Sequence, residues 1–370
     1  MTAGSSPSTA GSSFTAADGS ASPTATLARP LAEDLSASRR RRVSRRAALI
    51  ALLVVLLCLV FALTLMLGQS FVPPGDVWRV LLGDDVPGVS FTVGRLRLPR
   101  AVLSVLAGCS FGFGGAAYQT LLRNPLASPD IIGISYGASA AAVVGIVFFS
   151  LGGAAVSTVA IGVSLGVALL IYLLSYRGGA SGTRLILVGI GVAALLESVI
   201  AYSLSEAGEW NMQEAMRWLA GSVNGASWGR IMPVLYALPV FGAVLLSRSR
   251  DLEALRMGDD AAAALGVRVA PTRVTVLIAA TGLVAFATAA AGPISFVAFL
   301  AGPLAARIVG RNGSLLLPAA LVGALLVLVA DYCGQFLLPS RYPVGVITGA
   351  LGAPYLIYLI VRSNRGGGTW

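Results

Sequence analysis

The chain alternates between long apolar runs and short polar breaks along most of its length. Ten runs are apolar enough to be considered as membrane helices, and they predict an all-α polytopic membrane protein with about ten transmembrane helices, some short or broken. Their approximate bounds are 47–68, 101–122, 131–150, 153–176, 184–205, 228–247, 272–291, 294–309, 315–337 and 343–361. An even number of crossings places both ends of the chain on the same side of the membrane.

The run at 101–122 is the most informative, because it has no charged residue and its middle is dense in glycine and alanine. In lipid, small residues let neighbouring helix backbones approach one another closely. We therefore expect this helix to be surrounded by other helices.

Glycine and proline predict breaks within the longer apolar stretches. The stretch 131–176 is about two crossings long, so Gly152 and Gly153 lie near a turn. A second stretch, 274–306, is divided at Gly292-Pro293 and continues as a short helix. Together with the earlier break at Asn124-Pro125, this pattern indicates a faint inverted repeat, which is typical of transporters.

The beginning of the chain differs from the rest. Residues 1–38 are rich in Ser, Thr, Ala, Gly and Pro and are followed by an arginine cluster that ends at Arg46. Such a segment buries too little apolar surface to offset the entropy of ordering, so we expect residues 1–46 to be a disordered tail. Residues 47–362 form the transmembrane domain, and 363–370 form a second tail. Most arginines flank the runs on the side of these tails, which predicts a plasma (inner) membrane protein with both termini cytoplasmic.

Composition supports this class and excludes several functions. Hydrophobic residues make up 56% of the chain and charged residues only 11%, and all 26 basic residues are arginine. Without lysine a P-loop is not expected, and without histidine the commonest general base and metal ligand are missing. We therefore predict no catalytic, cofactor or metal site and no ATP hydrolysis by this chain. The net charge of +10 follows from membrane topology and does not indicate a nucleic-acid partner.

The longest polar interruption after the tail, residues 251–267, is predicted to lie on the inner side as two short helices. Leu252 and Leu255 form an apolar edge, Gly258 ends the first helix, Asp259 caps the second, and Gly266 ends it. An ordinary surface loop is one interpretation. An exposed amphipathic helix pair with nothing to cover instead suggests a docked partner.

Charges at unusual places give two further candidate sites. Four arginines, including Arg97 and Arg100, crowd into one outer loop, where they anchor lipid headgroups, form ion pairs with nearby aspartates or dock an acidic partner. Glu197 and Asp331 lie within apolar spans, where an ionisable group normally faces protein or a wet cavity. Each of these carboxylates is either structural or part of a proton relay.

Several motifs, taken together and in order, resemble the FecCD family of permease subunits of ABC importers for ferric siderophores, haem and cobalamin. They are Arg97-Leu98-Pro99-Arg100, Arg123-Asn124-Pro125-Leu126-Ala127-Ser128-Pro129, Gly133-Ile134-Ser135-Tyr136-Gly137-Ala138, the loop from Met257 to Val267, Ala291-Gly292-Pro293-Ile294-Ser295-Phe296-Val297, Ala330-Asp331 and Pro343-Val344-Gly345-Val346-Ile347-Thr348-Gly349. The resemblance implies a ten-helix fold similar to that of cobalamin-importer permeases. It also implies a second permease subunit, two ABC ATPase subunits inside, an extracytoplasmic substrate-binding protein and a lipid surround.

The resemblance also implies roles for individual residues. The ATPase-coupling set is Leu252, Leu255, Met257, Gly258, Asp259, Asp260, Leu265 and Gly266. Arg97, Arg100 and Arg341 are expected to dock the binding protein, and Gly133, Ser135, Gly137, Ser139 and Glu197 to line the pathway.

The chain departs from the family pattern at Gln335, at Ala301-Gly302-Pro303 and at Ala193, and these departures favour a heterodimer over a homodimer. Arg341 is then expected to take over the contact that an arginine at position 335 would make. The cargo implied is a ferric siderophore, with cobalamin or haem as alternatives. Two rivals are a proton-coupled secondary transporter that uses Glu197 and Asp331, and a membrane receptor or scaffold without transport.

Overall fold

The computed structural model describes residues 23–130, 133–175, 182–310 and 312–365, and this part of the chain contains helices and no β-strand. The helices are α1 (Pro23–Met66), α2 (Pro74–Leu81), α3 (Leu98–Leu121), α4 (Ile134–Phe149), α5 (Ala154–Ser175), α6 (Gly182–Ser205), α7 (Glu209–Leu219), α8 (Trp228–Ser247), α9 (Ser249–Leu255), α10 (Asp259–Ala264), α11 (Val269–Ala291), α12 (Val297–Val309), α13 (Leu316–Tyr332) and α14 (Val344–Arg365). Two π-helical segments, Ser90–Arg97 and Cys333–Leu337, precede α3 and extend α13.

A helix lies at each of the ten predicted runs, so the fold class is confirmed. Seven of these helices are long and apolar enough to cross a membrane, and α4, α12 and α14 supply shorter apolar segments. The turn expected at Gly152-Gly153 lies between α4 and α5, and Gly292-Pro293 separates α11 from α12. Helices α2 and α7 and the π-helical segment before α3 were not predicted, because they are short and their sequences are mixed in polarity.

The chain divides into two compact units, residues 1–48 and 49–370, and the boundary lies inside α1. The tail expected to be disordered up to residue 46 is instead helical from Pro23, and residues 1–22 lie outside the described part. Proline at the first position and the alanine, leucine and arginine that follow favour this helix. At the other terminus α14 continues to Arg365, past the expected end at 362, and 366–370 also lie outside the described part.

Helix α3 is the centre of the second unit, as its small residues predicted. It packs on α8, α11, α12 and α13, and 83% of its most apolar stretch is buried, against 11% for α1. A methyl group added at Gly108 or Gly112 would clash with the α13 backbone at Gly323 and Ala319. Close backbone approach therefore requires glycine at these two positions.

Two breaks in the helices shape the interior. The first break, residues 122–130 and 133, lies between α3 and α4, with 131–132 outside the described part, and the second break, 292–296, joins α11 to α12. Both short helices begin after a residue with positive φ, Gly133 at 90° and Phe296 at 65°. The predicted correspondence between the two segments therefore extends to the backbone conformation at the start of each short helix.

The long helices give this unit two ends. We call the end where α9 and α10 lie the α9 end, and the opposite end, where α7 lies, the α7 end.

Candidate functional site

A cavity of about 680 Å³ lies between the two breaks and α6. Three of the predicted pathway residues, Ser135, Ser139 and Glu197, line this central cavity. Its other walls are Leu126, Ser128, Asp130, Tyr136, Ile200, Leu219, Pro293, Ser295, Phe296, Phe299 and Leu356. These three residues form part of one wall, and the second break and the start of α12 supply part of another through Pro293, Ser295, Phe296 and Phe299.

The two predicted glycines take part in packing and do not line this cavity. A methyl group at Gly133 would come within 3.1 Å of the Gly189 carbonyl oxygen on α6, and one at Gly137 would come within 3.0 Å of Val167 on α5. Their small size brings α4 close to its neighbours and so fixes the position of the serines on α4.

Asp130 is a cavity residue that the sequence analysis did not single out. It is half-buried at the end of the first break, where Ser135 Oγ donates a hydrogen bond to Asp130 Oδ1 and Ser128 Oγ donates one to Oδ2 at 3.2 Å. Burial raises the pKa of the Asp130 carboxyl, and the two serine hydrogen bonds oppose that shift. The signal was present in the sequence as an acidic residue directly beside a helix break.

Glu197 has a different environment from Asp130. It is exposed on this chain, near the middle of α6, and only 17% of the most apolar stretch of that helix is buried. A carboxylate at this depth faces protein or water and not acyl chains. The α6 surface around Glu197 therefore requires a polar or protein covering.

At the α9 end, the predicted helix pair is present as α9 and α10, separated by Gly258 with φ of 120°. Leu252 and Leu255 do not form an exposed edge, because only 2% and 1% of their surfaces are accessible. They pack into the core of this chain. The exposed apolar side chains of the loop are Met257 and Leu265, with 63% and 64% of their surfaces accessible.

Asp259 has a different role from the helix cap that was expected. The residue at the N-cap position is Gly258, and no side chain caps α10. The Asp259 carboxylate instead accepts two hydrogen bonds from Arg273 Nη2, both at 2.8 Å, and pairs with Arg123 through a short contact. Arg273 lies in α11 and Arg123 in the first break, so one carboxylate joins the loop to both.

Arg123 makes a second contact that strengthens this link. Its Nε donates a hydrogen bond of 2.7 Å to the Leu255 carbonyl oxygen at the end of α9, and its φ of 52° is unusual for a residue other than glycine. Beside it lies a cavity of about 460 Å³ that also contains Gly302 and Pro303, two of the positions where the chain departs from the family pattern. The α9 end is thus held to the first break by charge-assisted contacts.

At the α7 end, the two arginines predicted to dock a partner are engaged within this chain. Arg97 donates hydrogen bonds to the carbonyl oxygens of Leu65, Met66 and Ser70 at 2.9, 3.0 and 2.7 Å. It thereby supplies hydrogen-bond donors to carbonyl groups at and just after the carboxyl end of α1, which lack partners within the helix. Arg100 forms two hydrogen bonds of 2.7 Å with Asp331. Both guanidinium groups therefore have structural partners that the sequence analysis did not foresee.

The pairing of Asp331 also bears on the proposed proton relay. Asp331 is held by Arg100 and does not line the central cavity with Glu197. A relay that needs both carboxylates in one path is therefore not supported by this geometry.

Arg341, the third predicted docking residue, lies in a second cavity, of about 690 Å³, at the α7 end. We call it the α7-end cavity. Its lining includes Trp210, Glu214, Arg217, Trp218, Asn224, Arg230, Gln335, Arg341 and Tyr342, above a floor formed by Ala289, Ala290, Ala291 and Gly292. Gln335 and Arg341 thus lie in the same cavity.

Comparison with known proteins agrees with this architecture. Residues 54–362 match the model of the FecCD transport family. The ferric enterobactin transport system permease protein FepG of Escherichia coli (strain K12) is 40% identical over 328 residues, which cover 87% of this chain and 98% of that protein. The ferric enterobactin transport system permease protein FepD of the same organism is 35% identical and covers 87% of this chain and 97% of its own length.

A solved structure shows the same fold. A chain described as a metal-chelate type ABC transporter in an inward-facing conformation superposes with a TM-score of 0.75 and 27% sequence identity. The match covers 85% of this chain and 99% of that chain. The arrangement of long helices and broken segments is therefore shared with a protein described as an ABC transporter.

Proposed function

The chain belongs to the FecCD transport family, and on that premise we propose that it is the membrane permease subunit of an ATP-binding-cassette importer that moves ferric siderophores inward. The observation that supports this proposal most directly is the central cavity between the two breaks, together with the link from the first break to the α9–α10 loop. A cavity supplies a route, and the loop supplies a point at which an external motor can act.

The motor is a separate ATPase, because a chain without lysine lacks the P-loop residue that contacts nucleotide phosphates. We propose that two ATPase subunits bind at the α9 end. Met257 and Leu265 offer the exposed apolar contacts there, whereas Leu252 and Leu255 support the loop from beneath. Gly258 and Gly266, with φ of 120° and 86°, shape the turns, and Asp260 adds an exposed charge.

Motion reaches the pathway through Asp259 in this proposal. A displacement of the loop pulls on Arg123 in the first break and on Arg273 near the start of α11. The first break carries Asp130 and leads to Ser135, while α11 ends at the second break. Both walls of the central cavity are thus connected to one carboxylate on the loop.

The second permease subunit covers the surface of α6 around Glu197. When the two subunits associate through this surface, the Glu197 carboxylate is surrounded by protein or water and not by lipid. Two distinct E. coli permease proteins of one ferric enterobactin system resemble this chain over most of its length, and this similarity favours an unlike partner over a second copy.

Ferric siderophore cargo is favoured over haem or cobalamin because FepG and FepD are both named for a ferric siderophore system. We place the chain in the plasma (inner) membrane with the α9 end and both termini in the cytoplasm, as the arginine distribution predicts. The binding protein then delivers cargo at the α7 end. Of the three docking arginines predicted, Arg341 is the one without an internal ion pair or hydrogen bond in the described part of the chain.

Reconstitution tests this proposal. The chain should accumulate no ferric siderophore in lipid vesicles by itself, and should support uptake only with its partner permease, the ATPase, the binding protein and ATP. Deletion of residues 251–267 should abolish copurification of the ATPase. Uptake by the chain alone, driven by a pH gradient without ATP, would instead support a secondary transporter.

A further inference from the structure

The α7-end cavity contains an excess of positive charge that no acidic side chain pairs with in the described part of the chain. Arg217, Arg230 and Arg341 line it together with one acidic residue, Glu214. None of the three arginines forms an ion pair or a hydrogen bond with any residue in the described part of the chain. Their guanidinium groups remain available to a ligand.

The pairing of the neighbouring arginines makes this availability informative. Arg97 and Arg100 lie at the same end and are engaged by backbone carbonyls and by Asp331. Asn224 accepts a hydrogen bond of 3.3 Å from Arg100 and also lines the α7-end cavity, so Arg100 is linked to the cavity lining through this residue. Arg97 and Arg100 therefore have partners within this chain, whereas the three cavity arginines can accept an external anion.

The shape and lining of the cavity favour a small ligand over a flat protein surface. Its volume of about 690 Å³ is within the range of small-molecule sites, roughly 300 to 1,000 Å³. Trp210, Trp218 and Tyr342 add aromatic surface beside the guanidinium groups. Guanidinium groups bind carboxylate-type oxygens in a bidentate manner, and aromatic faces stack on planar rings.

The position of the cavity connects it to the route already described. Gly292 forms part of its floor, and the next residue, Pro293, lines the central cavity. In the same way, Trp218 lines the α7-end cavity and the next residue, Leu219, lines the central cavity. A ligand in the α7-end cavity is therefore separated from the central cavity by one layer of backbone.

We propose that the α7-end cavity is a binding site for negatively charged, oxygen-rich metal chelates, held by Arg217, Arg230 and Arg341. The inference rests on the proposed function, in which this end receives the cargo. The inference adds to that function a selectivity between ferric chelates. A ferric tris-catecholate is anionic and is bound by the cavity, whereas a ferric tris-hydroxamate is neutral and is not. The site is weak, because exposed charge pairs contribute little individually and cargo must move on.

Binding can be measured on the full chain in phosphatidylcholine nanodiscs by quenching of tryptophan fluorescence. Ferric enterobactin serves as the anionic probe and a ferric tris-hydroxamate as the neutral one. We expect saturable quenching by the anionic probe, weakened roughly tenfold by the triple substitution Arg217→Gln, Arg230→Gln and Arg341→Gln. Raising the salt from about 0.1 M to about 1 M should weaken it as well, because screening then acts over about 3 Å.

Arg95→Gln is the matched control, since it removes an exposed arginine from the same end but outside the cavity, and it should leave binding unchanged. Trp210→Phe should reduce the quenching signal if the probe binds at this place. Equal binding of the neutral chelate, or unchanged binding in the triple variant, would overturn the proposal. So would a triple variant that keeps chelate binding and loses only its association with the binding protein, because the arginines would then form a docking surface.

Failure of the chelate-binding inference can be distinguished from failure of the proposed importer function. If the assembled importer takes up no ferric chelate with ATP, the proposed function fails whatever the quenching shows. If ATP-driven uptake occurs but the anionic probe does not bind the cavity, only the present inference fails.

Discussion

The two ends of the helix bundle use arginine in opposite ways. At the α9 end, Arg123 and Arg273 converge on Asp259, so their charges join the loop to the transmembrane helices. In the α7-end cavity, three arginines face a single glutamate and form no ion pair within the described chain. Paired charges hold two structural elements together so that they move as one, whereas unpaired positive charges in a cavity attract an anion.

The α7 end repeats this contrast on a smaller scale. Arg100 is largely buried and bound to Asp331, whereas the arginines of the α7-end cavity are exposed. Position at the α7 end therefore does not determine what an arginine does. The presence of an internal partner decides it.

The largest effect is expected from breaking the buried pair. Arg100→Ala leaves the Asp331 carboxylate buried without its partner, and only 9% of that side chain is accessible. We expect a loss of roughly 3–5 kcal/mol in the free energy of unfolding, measured by thermal unfolding in detergent. Replacing both residues with leucine should cost much less. If Arg100→Ala is as stable as the unsubstituted chain, the pair is not structural.

A smaller loss is expected for Arg97→Ala, which removes the donor to three backbone carbonyl oxygens at the end of α1. We expect about 2 kcal/mol of destabilisation, since hydrogen bonds from charged groups contribute more than neutral ones. Binding-protein association, measured on the folded fraction, should not change. A stable variant that loses only this association would restore the docking role first predicted for Arg97. Arg95→Ala, two residues earlier and exposed, is the control.

Asp259→Asn should lower stability by at most about 1 kcal/mol, because the Asp259 side chain is 43% accessible and solvent screens its two ion pairs. Thermal unfolding tests this expectation. A loss of several kcal/mol would mean that the residue is needed for folding, and its effects on transport could then not be assigned to coupling.

The smallest effect is expected for Arg79→Ala, which breaks an ion pair with Asp84 whose side chains are 58% and 56% accessible. Such a pair contributes below about 0.5 kcal/mol to stability. Comparison with Arg100→Ala isolates the effect of burial on two arginine–aspartate pairs at the same end. Similar losses for both would contradict the distinction between buried and exposed pairs.

Sequence patterns predicted the long helices well because apolar length is a local property. The breaks at Gly152-Gly153 and Gly292-Pro293 could be predicted for the same reason, because glycine and proline change the backbone conformation at their own positions. Helix α7 was missed because its mixed sequence resembles a polar loop, although it supplies part of both cavities.

The partners of charged residues were much harder to predict. Arg100 and Asp331 are 231 positions apart, and no periodicity in the sequence connects them. In the α9–α10 loop, the direction in which each apolar side chain faces was equally hard to predict. Its apolar residues were found, but the sequence could not tell that Leu252 faces the core while Met257 faces outward, because the pattern does not identify what covers each side.

The most direct test of the account compares chelate import with ATP hydrolysis in the assembled importer. Asp259→Asn should leave the ATPase bound and hydrolysing ATP while import falls at least tenfold, because the link to Arg123 and Arg273 is weakened. Asp260→Asn, at the exposed neighbouring carboxylate, should keep the ratio of import to hydrolysis unchanged. An unchanged ratio in Asp259→Asn would contradict the claim that this carboxylate couples the loop to the pathway.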